Sequence, residues 1–89
     1  MALAEETFSN NEAAKQYELK IDGRVAAIAQ YELQDGTIRL THTEVLPGHE
    51  GKGLGSRIAS QTLADVKKRG LQAQLVCSFM RKYAEKHPQ

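Results

Sequence analysis

The chain has 89 residues, 40% hydrophobic and 26% charged, with a formal net charge of +1. That length holds one domain with a modest core, the composition excludes a disordered chain, and the near-neutral balance argues against nucleic acid or an anionic membrane as partner. A single cysteine leaves no internal disulfide and no cysteine-based zinc cluster, and no apolar run reaches the ~20 residues of a membrane span. The start, Met1-Ala2-Leu3-Ala4-Glu5-Glu6, lacks the basic-then-apolar pattern of a secretory leader, so a cytoplasmic or organelle-matrix protein is expected.

Residues 1–14 are polar, with a turn-like Ser9-Asn10-Asn11 cluster, and read as a flexible arm ahead of a domain spanning 15–89. Tyr17, Leu19 and Ile21 then alternate with polar residues as in a half-buried strand. Asp22-Gly23 is a strong hairpin signal. A second strand follows over 24–33, Asp35-Gly36 repeats the signal, and residues 37–46, rich in Thr, Ile, Leu and Val, form a third. Leu54, Ile58, Thr62 and Val66, with Ala59 and Leu63 beside them, fall at helical spacing and predict a helix over 54–69. Lys67-Lys68-Arg69 suit its C-terminus, and Gly70 suits the position after it. A short fourth strand over 71–76 leads to Ser78, a candidate cap for a last helix that His87-Pro88 would end. The expected fold is α+β: an antiparallel sheet in the order β-β-β-α-β-α, with the long helix packed across it.

Between the third strand and the long helix lies Glu44-Val45-Leu46-Pro47-Gly48-His49-Glu50-Gly51-Lys52-Gly53-Leu54-Gly55-Ser56. It holds four of the seven glycines and one of the two prolines. A glycine-rich loop entering a helix gathers free backbone N–H groups where the helix dipole also favours an anion. The P-loop pattern fails because Gly51-Lys52 is followed by Gly53 and Leu46 stands at the first glycine position. The dinucleotide fingerprint fails because Gly51-x-Gly53-x-Gly55 is one residue short and the preceding strands are joined by hairpins. A plain structural turn without ligand is the bland alternative.

Strand, glycine loop, helix and strand in this order resemble the core of the GNAT superfamily of N-acetyltransferases. There a Gln/Arg-x-x-Gly-x-Gly/Ala signature cradles the acetyl-CoA pyrophosphate. The matching run here is Glu50-Gly51-Lys52-Gly53-Leu54-Gly55, with both signature glycines present and Glu50 where Gln or Arg is usual. His42-Thr43-Glu44-Val45 before the loop, and Cys77-Ser78-Phe79 with Tyr83 and Lys86-His87-Pro88 after it, are similar to a minimal, single-domain branch. The resemblance spans residues 17–88. It implies an acetyl-CoA-dependent N-acetyltransferase acting on an amine of a protein or small molecule. The alternative is a CoA-binding regulatory or interaction module without turnover.

On that resemblance the backbone of Thr43, Glu44, Val45 and Leu46 would meet the pantetheine arm, and Gly51, Lys52, Gly53, Leu54, Gly55, Ser56 and Arg57 the phosphates. Glu44 is the first candidate base, or else a strand-end carboxylate in an ion pair. Plain alternation sets Ile38, Leu40, His42 and Glu44 on one side of the strand, although a bulge would break that parity. His42 would share the cleft, or else be a half-buried histidine satisfied by a carbonyl. Cys77, just before a helix N-terminus, is placed to favour a thiolate and could carry the acetyl group. Otherwise it is a small buried hydrophobe. Tyr83 could protonate a leaving thiolate or simply pack beside Phe79. His42, His49 and His87 are too dispersed for a metal, and none is expected. The acceptor side should be open, and a homodimer could complete it.

Overall fold

The computed structural model describes residues 5–87. Five strands and two helices follow in the order β1 (Glu6–Asn11), β2 (Gln16–Ile21), β3 (Arg24–Gln34), β4 (Thr37–Val45), α1 (Leu54–Lys68), β5 (Gln72–Leu75) and α2 (Ser78–Lys86). They make one sheet in the order β1-β2-β3-β4-β5. The first three pairings are antiparallel, and β5 lies parallel to β4. The α+β class therefore holds, but the sheet is mixed rather than antiparallel throughout. The reason is geometric: α1 returns the chain to the end of the sheet where β4 began, so β5 enters in β4's direction.

Both expected hairpins form. Asp22 and Gly23, and again Asp35 and Gly36, take positive φ at consecutive positions. Two left-handed residues match the twist of the strands they join. At the other end of α1, Gly70 (φ 70) follows the cap residue Arg69. The Gly70 N–H donates to the Lys67 carbonyl and the Leu71 N–H to that of Val66, closing the helix end.

The expected flexible arm over 1–14 requires correction across Glu6–Asn11, which pairs in register with all of β2; residues 1–4 lie outside the described residues. Two contacts explain why so polar a run is held. Phe8 stacks on Tyr17 with ring centroids 5.4 Å apart and planes 8° apart. The Tyr31 hydroxyl donates to Asn10 Oδ1 at 2.7 Å.

The core lies between one sheet face and the helices. Tyr17, Leu19, Ala27, Ala29, Ile38 and Leu40 meet Leu54, Ile58, Ala59 and Val66 of α1 and Met80 of α2. The small alanines of β3 leave room for α1 to lie close over the middle of the sheet. Tyr17 also anchors the helix end: its hydroxyl donates to Asp65 at 2.6 Å and accepts from Arg69 at 3.0 Å. Burial, reinforced by the Asp65 carboxylate, pushes the Tyr17 phenol well above its ordinary value, so it stays protonated and able to donate.

Two bulges fix which side chains face this core. Leu19 pairs with Ala27 and Lys20 with Val25, so Ala26 is an extra residue in β3. Gln30 pairs with His42 and Tyr31 with Leu40, so Thr41 is an extra residue in β4. Plain alternation fails at Thr41. Ile38 and Leu40 before the bulge, and Thr43 and Val45 after it, share the helix side, while His42 and Glu44 share the opposite face.

If β1 is an integral strand, Phe8→Ala lowers the unfolding free energy by about 2 kcal/mol, combining lost burial with a lost aromatic pair. Urea titration measures this; a truly loose arm would leave the midpoint unchanged.

Candidate functional site

The site is built where β4 and β5 part. Their pairing ends at Leu40 beside Leu75. The Val76 and Cys77 N–H groups both donate to the Leu40 carbonyl, at 3.1 and 2.9 Å, and the chain then turns into α2. From Thr41 to Val45 the outer edge of β4 has no strand beside it among the described residues. Its backbone groups are open to an extended ligand, because a strand edge offers a row of unpaired donors and acceptors.

Cys77 stands at the head of this opening. It is the N-cap residue of α2, with extended backbone and no side-chain cap hydrogen bond; Ser78, expected as the cap, is the first helical residue. Burial alone would push the thiol up. The Met80 N–H, the Thr43 hydroxyl (3.5 Å from Sγ) and the Phe79 N–H together outweigh burial and hold it below the ordinary cysteine value. Thr43 reaches Cys77 only because of the bulge at Thr41.

His42 and Glu44 lie on the other face of β4, His42 Nε2 at 3.1 Å from Glu44 Oε1. Both are about half exposed, at 53% and 48% of their side-chain surface. No helix covers this face among the described residues. The structure thus joins His42 to Glu44 and Cys77 to Thr43, with the backbone of β4 between the two pairs.

At the far end of β4, residues 46–53 turn the chain into α1. Gly48, Gly51 and Gly53 have φ of 90°, 79° and 73°, a region that other residues enter at a cost. Gly53 is the helix N-cap. Gly55 meets a different constraint: a Cβ there would lie 3.0 Å from the Phe79 ring tip, which would have to shift. A cavity of about 290 Å³ opens here, lined by Val45, His49, Glu50, Gly51, Gly53, Leu54, Gly55, Ser56 and Phe79. Leu46 closes the strand end by donating its N–H to the Ala26 carbonyl.

Two charged residues, one in the loop and one in the first turn of α1, behave in ways the sequence did not disclose. Glu50 folds back to accept the Gly48 N–H at 2.7 Å. The N–H groups of Glu50 itself, Gly48 and His49 hold its carboxyl below the usual range, so backbone donors partly offset the unusual acid. Arg57 is engaged with the carboxylate of Glu6 through Nε and Nη2, both at 3.0 Å, and donates from Nη1 to the Lys52 carbonyl. Lys52 itself is exposed. Only the backbone of Thr43 was expected at the site; its side chain, and His49 and Phe79, were not anticipated there. The Phe79 ring beside Gly55 has no one-residue signature, whereas Thr43 would have followed had the bulge been placed. No group of three or more His, Cys, Asp or Glu side chains is arranged to hold a metal among the described residues. No helix there is long and apolar enough to cross a membrane.

The site thus sits in an α+β domain whose last two sheet strands part beside a glycine loop and a helix start. The chain belongs to the GCN5-related N-acetyltransferase family, whose model matches residues 16–89. It is also similar to Protein NATD1 of Xenopus tropicalis, at 29% identity over 77 residues that cover 83% of this chain and 70% of that protein.

The loop and thiol geometry carry two expectations. Gly53→Ala, forced into the left-handed region, costs about 1–2 kcal/mol, whereas Gly55→Ala shifts stability by less than about 1 kcal/mol because the exposed ring tip of Phe79 can yield. Thermal unfolding of the two variants separates them. Thr43→Val removes one partner of the thiol and moves the midpoint of its pH-dependent alkylation upward, toward that of a free cysteine.

Proposed function

We propose that the protein binds acetyl-CoA along the free edge of β4, with its pyrophosphate at the 51–57 turn, and transfers the acetyl group to an amine. The parting of β4 from β5 directly beside the polarised Cys77 carries this reading. An open strand edge suits the amide-rich pantetheine arm, and the helix start with left-handed glycines suits a pyrophosphate. The cavity beside Gly55 fits that role: Gly51, Gly53, Gly55 and Ser56 are in its lining, and side chains this small let phosphate oxygens approach N–H groups. Acetyl-CoA supplies the activated acyl group; the protein supplies position, carbonyl polarisation and proton removal.

The acceptor amine approaches from the open face of the sheet and reaches the thioester past the unpaired edge of β4, beyond the point where β4 and β5 part. There His42, oriented by Glu44, takes the proton that the nitrogen must lose. The thioester lies on the Cys77 side, where the α2 N-terminus and the Thr43 hydroxyl favour developing negative charge. The depressed thiol supports a second route. The Cys77 thiolate attacks the thioester carbonyl, CoA leaves as its thiolate, and the amine then takes the acetyl group from sulfur.

Thermal unfolding with acetyl-CoA, CoA and ATP tests the binding reading. A ligand specific for the folded state at 100 times its Kd stabilises by about 2.7 kcal/mol, several degrees for a domain of this size. Stabilisation by the two CoA species and not by ATP is expected; none with CoA would overturn the reading. For chemistry, His42→Ala is expected to lower transfer to a reactive amine about 100-fold while CoA binding is retained. Mass spectrometry after acetyl-CoA alone separates the routes, since only the second leaves acetyl on Cys77. CoA binding without transfer to any amine would instead favour a regulatory or interaction module.

A further inference from the structure

β5 ends the sheet: β4 pairs with one of its sides, and no strand pairs with the other among the described residues. The Gln72 N–H donates to the Gly36 carbonyl and the Val76 N–H to that of Leu40. These alternate residues bond inward, so Ala73 and Leu75 direct their backbone groups outward. Natural sheets usually blunt such an edge with charge, proline or a bulge. β5 has none of these: it reads Gln-Ala-Gln-Leu and pairs with β4 in unbroken register. With Leu71 before it, the segment 71–75 is a palindrome, Leu-Gln-Ala-Gln-Leu. Its side chains are sorted by face as well. Ala73 and Leu75 lie beside Ile38 and Leu40 on the helix side, whereas Gln72 and Gln74 lie beside Thr37 and Arg39 on the open face. Gln72, Ala73 and Gln74 are all exposed. On the helix side a cavity of about 280 Å³ adjoins this edge, and its lining includes Leu63, Val66, Leu71, Ala73 and Ala84.

We propose that the β5 edge is an interface between two copies of this chain, joined antiparallel about a two-fold axis at Ala73. A two-fold antiparallel pair sets the strand against its own reverse, and a palindrome then meets itself. Ala73 faces Ala73 of the second copy, Gln72 faces Gln74, and Leu71 faces Leu75. The hydrogen-bonding groups match in this register. The two Ala73 residues exchange N–H and C=O bonds, and each Leu75 N–H meets the Leu71 carbonyl of the other copy. The Leu71 N–H is already given to Val66 and is not needed. No like charges are opposed, and the glutamine amides, which both donate and accept, pair across the open face. On the helix side each Leu75 comes to rest beside Leu71, at the rim of the other copy's apolar cavity. A foreign extended peptide would satisfy the same backbone groups, but it would make no use of the palindrome. The pairing goes beyond the CoA reading and does not depend on it.

Sedimentation velocity from about 1 μM to 1 mM protein is the test. The interface is short, so a dimer with a Kd of about 10–100 μM is expected. Two double variants at exposed positions fix the register. Gln72→Lys/Gln74→Lys opposes like charges on both sides of the axis and is expected to stay monomeric throughout. Gln72→Lys/Gln74→Glu opposes unlike charges in this register and is expected to dimerise at least as well as wild type, less so at high salt. Both are expected to keep the unfolding midpoint of wild type at 1 μM. Wild type that stays monomeric to 1 mM would overturn the proposal and leave the edge to a foreign strand. A like-charge variant that dimerises as wild type does would also overturn it, by placing the interface elsewhere. Loss of the dimer in the unlike-charge variant would overturn the two-fold register at Ala73.

Discussion

A single extra residue in β4 decides which side chains can meet. Without the bulge at Thr41, Thr43 would point away from the helices and Cys77 would lose its hydroxyl neighbour. His42 and Glu44 would then be directed into the space under α1 and α2. With it, Ile38, Leu40, Thr43 and Val45 form one continuous inward row, and the polar pair faces outward. A bulge inserts a half-period shift at little cost where the ladder can close around it, which makes it an effective way to re-aim a strand. Here the Thr41 hydroxyl lies 3.3 Å from the Gln30 carbonyl, close to the point of insertion.

The same economy governs the core. With Ala26, Ala27 and Ala29 all buried in β3, the middle of the sheet contributes little bulk, and the volume comes from α1 and the tyrosines. Tyr17 and Tyr31 fill space with their rings while their hydroxyls reach polar partners at the rim, as buried tyrosines require. The α1 N-terminus is consequently held at a fixed height over the end of β4. Phe79 then rests against Gly55, where a larger residue would push it out. Core packing and site shape are therefore one problem in so small a domain.

What the sequence disclosed follows the range over which each signal acts. The two Asp-Gly turns and the α1 stripe of Leu54, Ile58, Thr62 and Val66 are local, and the structure contains them as read. The order of β2, β3, β4, α1, β5 and α2 was legible for the same reason. β1 was not, because Glu6–Asn11 carries only Phe8 as an apolar residue and is held by partners on β2 and β3. Nor could spacing reveal that β5 runs parallel to β4, since that depends on where α1 delivers the chain. At the site, the glycine turn and the Cys77 helix head stood out as composition and position. Arg57 illustrates the limit: its partner Glu6 lies 51 residues away, so its charge reads as free until the fold brings them together.

That ion pair has a consequence for motion. Glu6 opens β1 and Arg57 lies in the first turn of α1, so the contact joins the outermost strand to the segment leaving the glycine turn. Exposed pairs of this kind contribute under about 1 kcal/mol, too little to define the fold. It is enough, though, to bias which parts open together when the native state fluctuates. Amide exchange at the start of α1 then depends on whether β1 is docked. A perturbation at the sheet's far edge can be felt at the turn without any change in the core.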